Sequence, residues 1–467
     1  MSVQMHSQSH LRRTLRSLIW STLLLIPLSL SRLDGAEEYP RAFSLKEARE
    51  YAVRNNYDAR KSQLEIAAAQ KRIRETVGIG LPQVNSSLGY VNNLELATVL
   101  IPNFFEGNLE EKIPVQFGTQ HNAALGLQVQ QLVFNGSYFI GLQASRIYGA
   151  LAEEGHERTQ MDVIETVSQT YYLILVSQES EKIIRGNLEN LEKTLYEIRE
   201  RYKEGFLEET DADVIQISVT ALKNSLQNLL KQTETAYELL KFQMGIDLDE
   251  DIALTDRLED IVAAADIEKA LAGEFDLEQN IDYRLIQTQE KLAEMNLKNE
   301  KSKYWPTVAA FYSLSFNAFR DNFNFFNLSQ NWYRTQTVGL NINLPLFKSG
   351  SQKARVQQAS IALEQARQTA RQVSEGLLLE EARAKNALSS ALENYRNVKD
   401  NMDLSKKVYD KTLIKYQEGL ASSTDLTQAN DRFLAAQANY IQALAGLLNA
   451  KNKLDRLRNA YEVSMEG

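Results

Sequence analysis

The chain has 467 residues, a formal net charge of −9, four histidines and no cysteine. The missing thiols exclude a disulfide framework, thiolate metal sites and a lipid-modified N-terminal cysteine. The acidic balance argues against nucleic acid as a partner.

Arg12, Arg13 and Arg16 precede an apolar run over 18–30, the pattern of a secretory signal. Residues 1–36 are expected to be a signal peptide, cleaved after Ala36 or Ser31. An N-terminal anchor helix is the competing expectation, but the run falls short of the ~20 apolar residues of a membrane span. Removing 1–36 leaves 48 basic and 60 acidic residues, a charge of −12. Only His121 and His156 then remain, with no acidic or cysteine ligand pattern around them. No catalytic residue, cofactor or metal is predicted on that basis. Asp247, Asp249 and Asp251 have the start of a calcium loop, but Ile252 and Leu258 stand where such a loop needs Gly and Glu.

Prolines fall at 27, 40, 82, 102, 114, 306 and 345. Because proline breaks helix interiors, the windows 115–305 and 346–467 are free to be helical. Residues 137–204 are rich in good helix formers. A helix of that length spans ~100 Å. In the second window Val356, Ala359, Leu363, Ala366, Ala370, Val373 and Leu377 alternate spacings of three and four, continued by Ala384, Ala387 and Ala391. That is a heptad-like seam whose small residues allow close helix approach.

Other segments alternate with period two. Val84, Leu88 and Tyr90 oppose Asn85, Ser87 and Gly89. Leu125, Leu127, Val129 and Val133 oppose Asn122, Ala124, Gly126, Gln128 and Gln130. Val308, Ala310, Tyr312, Leu314 and Phe316 share one face of a third strand. Val338, Leu340, Ile342 and Leu344 oppose Thr337, Gly339, Asn341 and Asn343 in a fourth. Apolar on one side and small or polar on the other fits a strand between lipid and a wet lumen. A soluble sandwich is the competing account, yet a helix-dominated chain offers no second sheet.

Two eleven-residue stretches match: "RYKEGFLEETD" (201–211) and "KYQEGLASSTD" (415–425). They belong to a longer duplication, in which Pro82 answers Pro306, Gly126 answers Gly339, Phe134 answers Phe347 and Gly205 answers Gly419. The offsets are 224, 213, 213 and 214. The expected organisation is a first repeat over 37–245, with a strand pair in 82–134 and a hairpin tip near 205. An acidic connector follows over 246–282, then a second repeat over 283–460, with strands in 305–347 and a tip near 419. Residues 461–467 form a tail. In each tip Gly is expected to end one helix. Thr210 and Thr424 are expected to cap the next, with Asp211 and Asp425 in its first turn. The connector has thirteen acidic and two basic residues over 247–282 and is expected to be solvated.

Four strands cannot close a barrel, and eight would be filled by side chains. Three or more copies would leave a conducting lumen. At this point the ordered set "GLPQV", "LGLQVQQLVFNG", "RYKEGFLEETD", "YWPTVAAFYSLSF", "VGLNINLPLFKSG" and "KYQEGLASSTD" resembles the TolC-like outer-membrane efflux proteins, over about residues 44–460. The resemblance implies a mixed, mostly α fold with long antiparallel coiled-coil hairpins and four β-strands per chain. It implies a homotrimer with a 12-stranded barrel in outer-membrane lipid and a 12-helix periplasmic α-barrel. A periplasmic adaptor (membrane fusion) protein and an inner-membrane RND or ABC transporter are the implied partners, and efflux or type I secretion the implied function. It implies no enzymatic activity and no cofactor. Tyr416, Asp425 and Asp211 match family positions that close the periplasmic aperture. Ala421 stands where some members carry Arg, and Gln428 where some carry Asp, so Arg201 (beside Tyr202) or Lys415 (beside Tyr416) is the expected substitute cation. Gly205, Thr210, Gly419 and Thr424 are the expected tip turns and adaptor contacts. The competing class is a periplasmic coiled-coil adaptor or scaffold without a pore.

Overall fold

A computed structural model describes residues 42–103, 108–327 and 329–461; the expected signal peptide and residues 462–467 of the expected tail lie outside them. The first half contains β1 (Ala42–Phe43), α1 (Leu45–Asn55), α2 (Tyr57–Ile79), β2 (Gln83–Asn92), β3 (Ala97–Asn103), β4 (Asn108–Phe117), β5 (His121–Phe134), α3 (Gly136–Lys203) and α4 (Glu209–Met244). Then come β6 (Ala253–Leu254), α5 (Leu258–Ala264), α6 (Ile267–Ala272), α7 (Ile281–Ser302), β7 (Thr307–Arg320), β8 (Tyr333–Asn343), α8 (Ser351–Gln417) and α9 (Ser423–Leu457). Among the described residues no helix is long and apolar enough to cross a membrane.

The period-two segments form one antiparallel sheet in the order β2-β5-β7-β8. Its register carries the alternation across all four strands. Val84, Val129, Tyr312 and Val338 lie in one row, and Asn85, Gln128, Ser313 and Thr337 in the next. Because a one-residue slip would turn every side chain over, this alignment gives the whole sheet one apolar and one polar face. A shift between Leu132 and Phe134 leaves Val133 out of the ladder. The apolar face is bare in the single chain, with Val338 81% and Leu88 77% exposed. Among the described residues both edge strands, β2 and β8, lack an outer partner.

Two features depart from the four-strand expectation. The long first loop holds its own two-stranded ribbon, β3–β4, and β1 pairs in parallel with β6 far along the chain. The loop was long enough to form a local hairpin, whose partners are near in sequence. The β1–β6 pair is non-local and too short to show a period.

The long helices α3 and α8 have 68 and 67 residues, and the returning helices α4 and α9 have 36 and 35. Sheet runs directly into helix at Asn135, whose side chain accepts from Tyr138 N–H at 3.0 Å and caps α3. Two shorter helices share the flank of each long one. Against α3, α2 contributes Arg72 to the Tyr148 hydroxyl at 2.7 Å. Further along, α4 sets Lys223 on Glu192 at 2.6 Å and Tyr237 under Gln178 at 2.8 Å. Against α8, α7 sets Glu290 on Arg367 at 3.3 Å, and α9 stacks Phe433 on Tyr409 at 5.7 Å. Most of the predicted alanine seam lies in this packing: Ala359, Leu363, Leu377 and Ala384 are buried, but Ala387 is exposed and Leu388 takes its place in the core.

The acidic connector is folded rather than solvated throughout. Ile246, Leu258, Ile267 and Ile281 are buried. Asp256 accepts from Leu45 N–H at 2.6 Å and from the Tyr171 hydroxyl at 3.1 Å. Burial pushes the Tyr171 phenol up, and the Asp256 charge beside it adds to the effect. Asp282 takes part in a charged cluster. Arg456, 8% exposed, gives two nitrogens to Asp162 (2.7 and 2.9 Å) and one to Asp282 at 2.9 Å. Arg158 meets the other Asp282 oxygen at 2.9 Å. Composition showed the connector's charge, but its apolar residues are spaced irregularly and gave no periodic signal.

Candidate functional site at the helical tips

Each tip is a helix stop followed at once by a helix start. Gly205 has φ +80° and Gly419 φ +75°, the left-handed region that costs any other L-residue strain. Phe206 N–H bonds the Arg201 carbonyl at 2.9 Å, and Gly205 N–H bonds that of Tyr202 at 2.9 Å. Leu420 and Gly419 repeat the pair on Lys415 (2.8 Å) and Tyr416 (3.0 Å). These are Schellman motifs. They use the backbones of the recurring basic residue and tyrosine, whatever their side chains do. A Cβ added at either Gly meets nothing within 4 Å. Gly205→Ala and Gly419→Ala should therefore each cost only the backbone strain, about 1–2 kcal/mol. Equilibrium denaturation should show that loss, with Asn at the same position recovering part of it.

The helix starts correct the threonine expectation. Thr210 and Thr424 are second-position helical residues, and the N-caps are Glu208 and Ser422. Asp425 accepts from Ser422 N–H at 3.0 Å while the Ser422 hydroxyl accepts from Asp425 N–H at 3.1 Å. This reciprocal capping box was legible as Ser-x-x-Asp, three residues back from the acid. Asp211 likewise accepts from Glu208 N–H at 3.2 Å. The Ser422 N–H and hydroxyl hold the Asp425 carboxyl below the ordinary aspartate value of 3.8. A depressed folded value means that this cap is intact above 3.8 and lost as pH falls below it. Amide protection in the first turn of α9, corrected for intrinsic exchange, should drop over that range. In Asp425→Asn, which keeps an acceptor oxygen but cannot titrate, the drop should vanish.

The structure joins the two tips through residues from both. The Ser423 hydroxyl donates to Asp211, and Arg201 reaches the Gln417 carbonyl at 3.4 Å. Ser423 and Gln417 were not singled out in the sequence, since neither belongs to the duplicated pattern. Beneath them all four helices share one apolar core, with Leu191, Leu195, Ile198, Ile215, Leu426 and Phe433. Ala421 packs against its edge. The duplicated tyrosines part here. Tyr416 is 7% exposed inside this core, whereas Tyr202 is 41% exposed. Burial pushes the Tyr416 phenol up, with the Asp211 charge adding to it. Its hydroxyl has no hydrogen-bond partner among the described residues. Lys415 is exposed, and so are Phe206 and Leu420 at the turn apices.

Comparison with known proteins agrees with this architecture. The outer membrane efflux protein family matches residues 49–245 and 276–460. The outer membrane protein TolC of Vibrio cholerae is 20% identical over 327 residues, 68% of this chain and 72% of its own length. The probable outer membrane lipoprotein SilC of Salmonella typhimurium is 22% identical over 408 residues, 83% of this chain and 79% of its own. Among solved structures, CusC superposes with a TM-score of 0.72 at 16% identity, covering 89% of this chain and 91% of that one. The outer-membrane channel OprN gives 0.70 at 20% identity, covering 89% and 90%. Matched in both halves, the chain belongs to the family of outer membrane efflux proteins, channels of the outer membrane with a long periplasmic extension.

Proposed function

We propose that three copies of the chain assemble into a single duct and that its helical tips form the periplasmic aperture. The observation that carries this is the four-stranded sheet with one bare apolar face and two unpaired edges. Unpaired edges are not tolerated in lipid, where every backbone group must be bonded. Pairing β8 of one copy with β2 of the next satisfies both edges, and three copies of four strands close a barrel of twelve. Such a barrel is wider than the eight-stranded kind that side chains fill. The long helices continue the lumen by ~100 Å at 1.5 Å per residue.

The duct would carry small molecules or polypeptides handed over by an inner-membrane RND or ABC transporter through a periplasmic adaptor. Exposed Phe206 and Leu420, with Thr210 and Thr424 behind them, are the surface offered to that adaptor. Tyr416, Arg201 and Asp211 hold the two tips of one copy together, so they set the resting width of the aperture. Three copies of Asp425 would place an acidic ring at the constriction and favour cations. Single-channel conductance of detergent-purified protein in a planar bilayer, with oligomeric mass measured in parallel, tests the proposal. A trimer with discrete openings supports it. A monomer or dimer without conductance would leave the pore-free scaffold as the better account.

A further inference from the structure

The polar face of the sheet, which lines the lumen in the duct proposed above, carries no charged side chain among the described residues. One of its rows runs Gln83, Gln130, Phe311 and Gly339. The two rows beyond it hold only amides, hydroxyls and Gly126. Phe311 is the one large apolar side chain in these three rows, and Leu132 and Ala309 lie in the row before it. Alternation between lipid and a wet lumen asks for small or polar residues on this face, so the sheet itself gives no reason for a phenyl ring.

The ring has a prepared seat. A Cβ added at Gly339 would lie 2.7 Å from the Phe311 Cζ and 2.9 Å from its Cε1. The end of the ring therefore lies over the glycine, along the wall. Gly339 does not have a positive φ, so its backbone would accept any residue. The ring is what its missing side chain makes room for. Phe311 is only partly buried, so part of the ring stays open to the lumen. Gln130, exposed and paired directly beside it on β5, offers an amide donor and acceptor.

We propose that Phe311, seated on Gly339 beside Gln130, is a subsite on the lumen wall for neutral, flat aromatic molecules passing through the duct. This rests on the trimeric assembly proposed above. An aromatic guest stacks offset or edge-on against the ring, and a hydroxyl or carbonyl on its rim bonds the Gln130 amide. With no charge on that face, neither cations nor anions gain there. Twelve strands spaced about 4.8 Å apart and tilted about 40° enclose a radius of roughly 12 Å, which sets the three Phe311 backbones roughly 20 Å apart. That gap is too wide for one small molecule to bridge. Each copy therefore holds its own guest at the wall, and the centre of the lumen stays open.

Single channels in a planar bilayer, exposed to naphthyl glucoside or cyclohexyl glucoside, test this. Both probes are neutral, and only the first is aromatic. The naphthyl probe should produce partial blocks at lower concentration than the cyclohexyl one. Phe311→Ser should weaken the naphthyl block about 2- to 12-fold, the range of an aromatic pair, and leave the cyclohexyl block unchanged. Phe311→Trp, which keeps an aromatic face, should retain the preference. Gly339→Ala, which keeps the ring but unseats it, should reduce the preference, with no further effect when added to Phe311→Ser. A conducting trimer that is blocked equally by both probes, or that keeps its preference in Phe311→Ser or Gly339→Ala, overturns the inference alone. A protein that is not a conducting trimer overturns the duct and this inference with it.

Discussion

Arg456→Ala is expected to destabilise the chain by about 1–3 kcal/mol, the usual cost of leaving polar partners unsatisfied, because the arginine is buried while Asp162 is half exposed. The loss should show as a lower thermal midpoint of helical circular dichroism in detergent. Arg456 bonds two other segments at once. Its guanidinium ties Asp162 in α3 to Asp282 at the start of α7, from its own place near the end of α9. Without it, two carboxylates face each other across the meeting point of both halves, with only Arg158 left between them. Arg456→Lys should recover little, since a single ammonium cannot serve both acids in fork geometry. Adding Asp282→Asn to Arg456→Ala should restore part of the loss, because it removes one of the stranded charges. A double-mutant cycle would read that coupling directly. Equal losses in the single and double variants would show that packing of the arginine stem, not its charge, holds the junction.

Tyr416→Ala is expected to loosen the joined tips and, in the duct proposed above, to widen its periplasmic aperture and raise single-channel conductance. It removes a ring from the core shared by α3, α4, α8 and α9, at a local cost of about 3–5 kcal/mol for a buried aromatic. Only the tip should loosen, since the next large cluster of buried residues lies in other segments of the helices. Tyr202→Ala should do much less, because Tyr202 is 41% exposed and lies outside that core. Tyr416→Phe separates the ring from its hydroxyl. In one copy the hydroxyl bonds nothing described, so Phe should match wild-type stability. If Tyr416→Phe nevertheless raises conductance, the hydroxyl is bonded by a neighbouring copy in the closed state. Equal effects of Tyr202→Ala and Tyr416→Ala would overturn the asymmetry read from their burial.

Much of the fold was legible because it is local. Period-two alternation in 84–90 or 308–316, proline-free helical windows and the glycines at 205 and 419 all act within a few residues. The chain then builds what its neighbours in sequence dictate. The capping error at Thr210 and Thr424 was also local. Threonine is a good cap in isolation, but the acid that reaches back three residues decides where the helix begins.

What only the tertiary structure decided depends on which surface of one half meets the other. The sequence wrote two equal tips, with Tyr202 and Tyr416 in the same place in each. Packing then buried one in the core shared by α3, α4, α8 and α9 and left the other outside it, 41% exposed. The same holds for Ser423 on Asp211, for Arg456 between two acids, and for β5 beside β7. Each joins residues more than a hundred positions apart, where no periodicity can reach. Their pairing is set by the shape of the assembled helices and sheet, and those contacts are where the two copies of one plan become different parts of one chain.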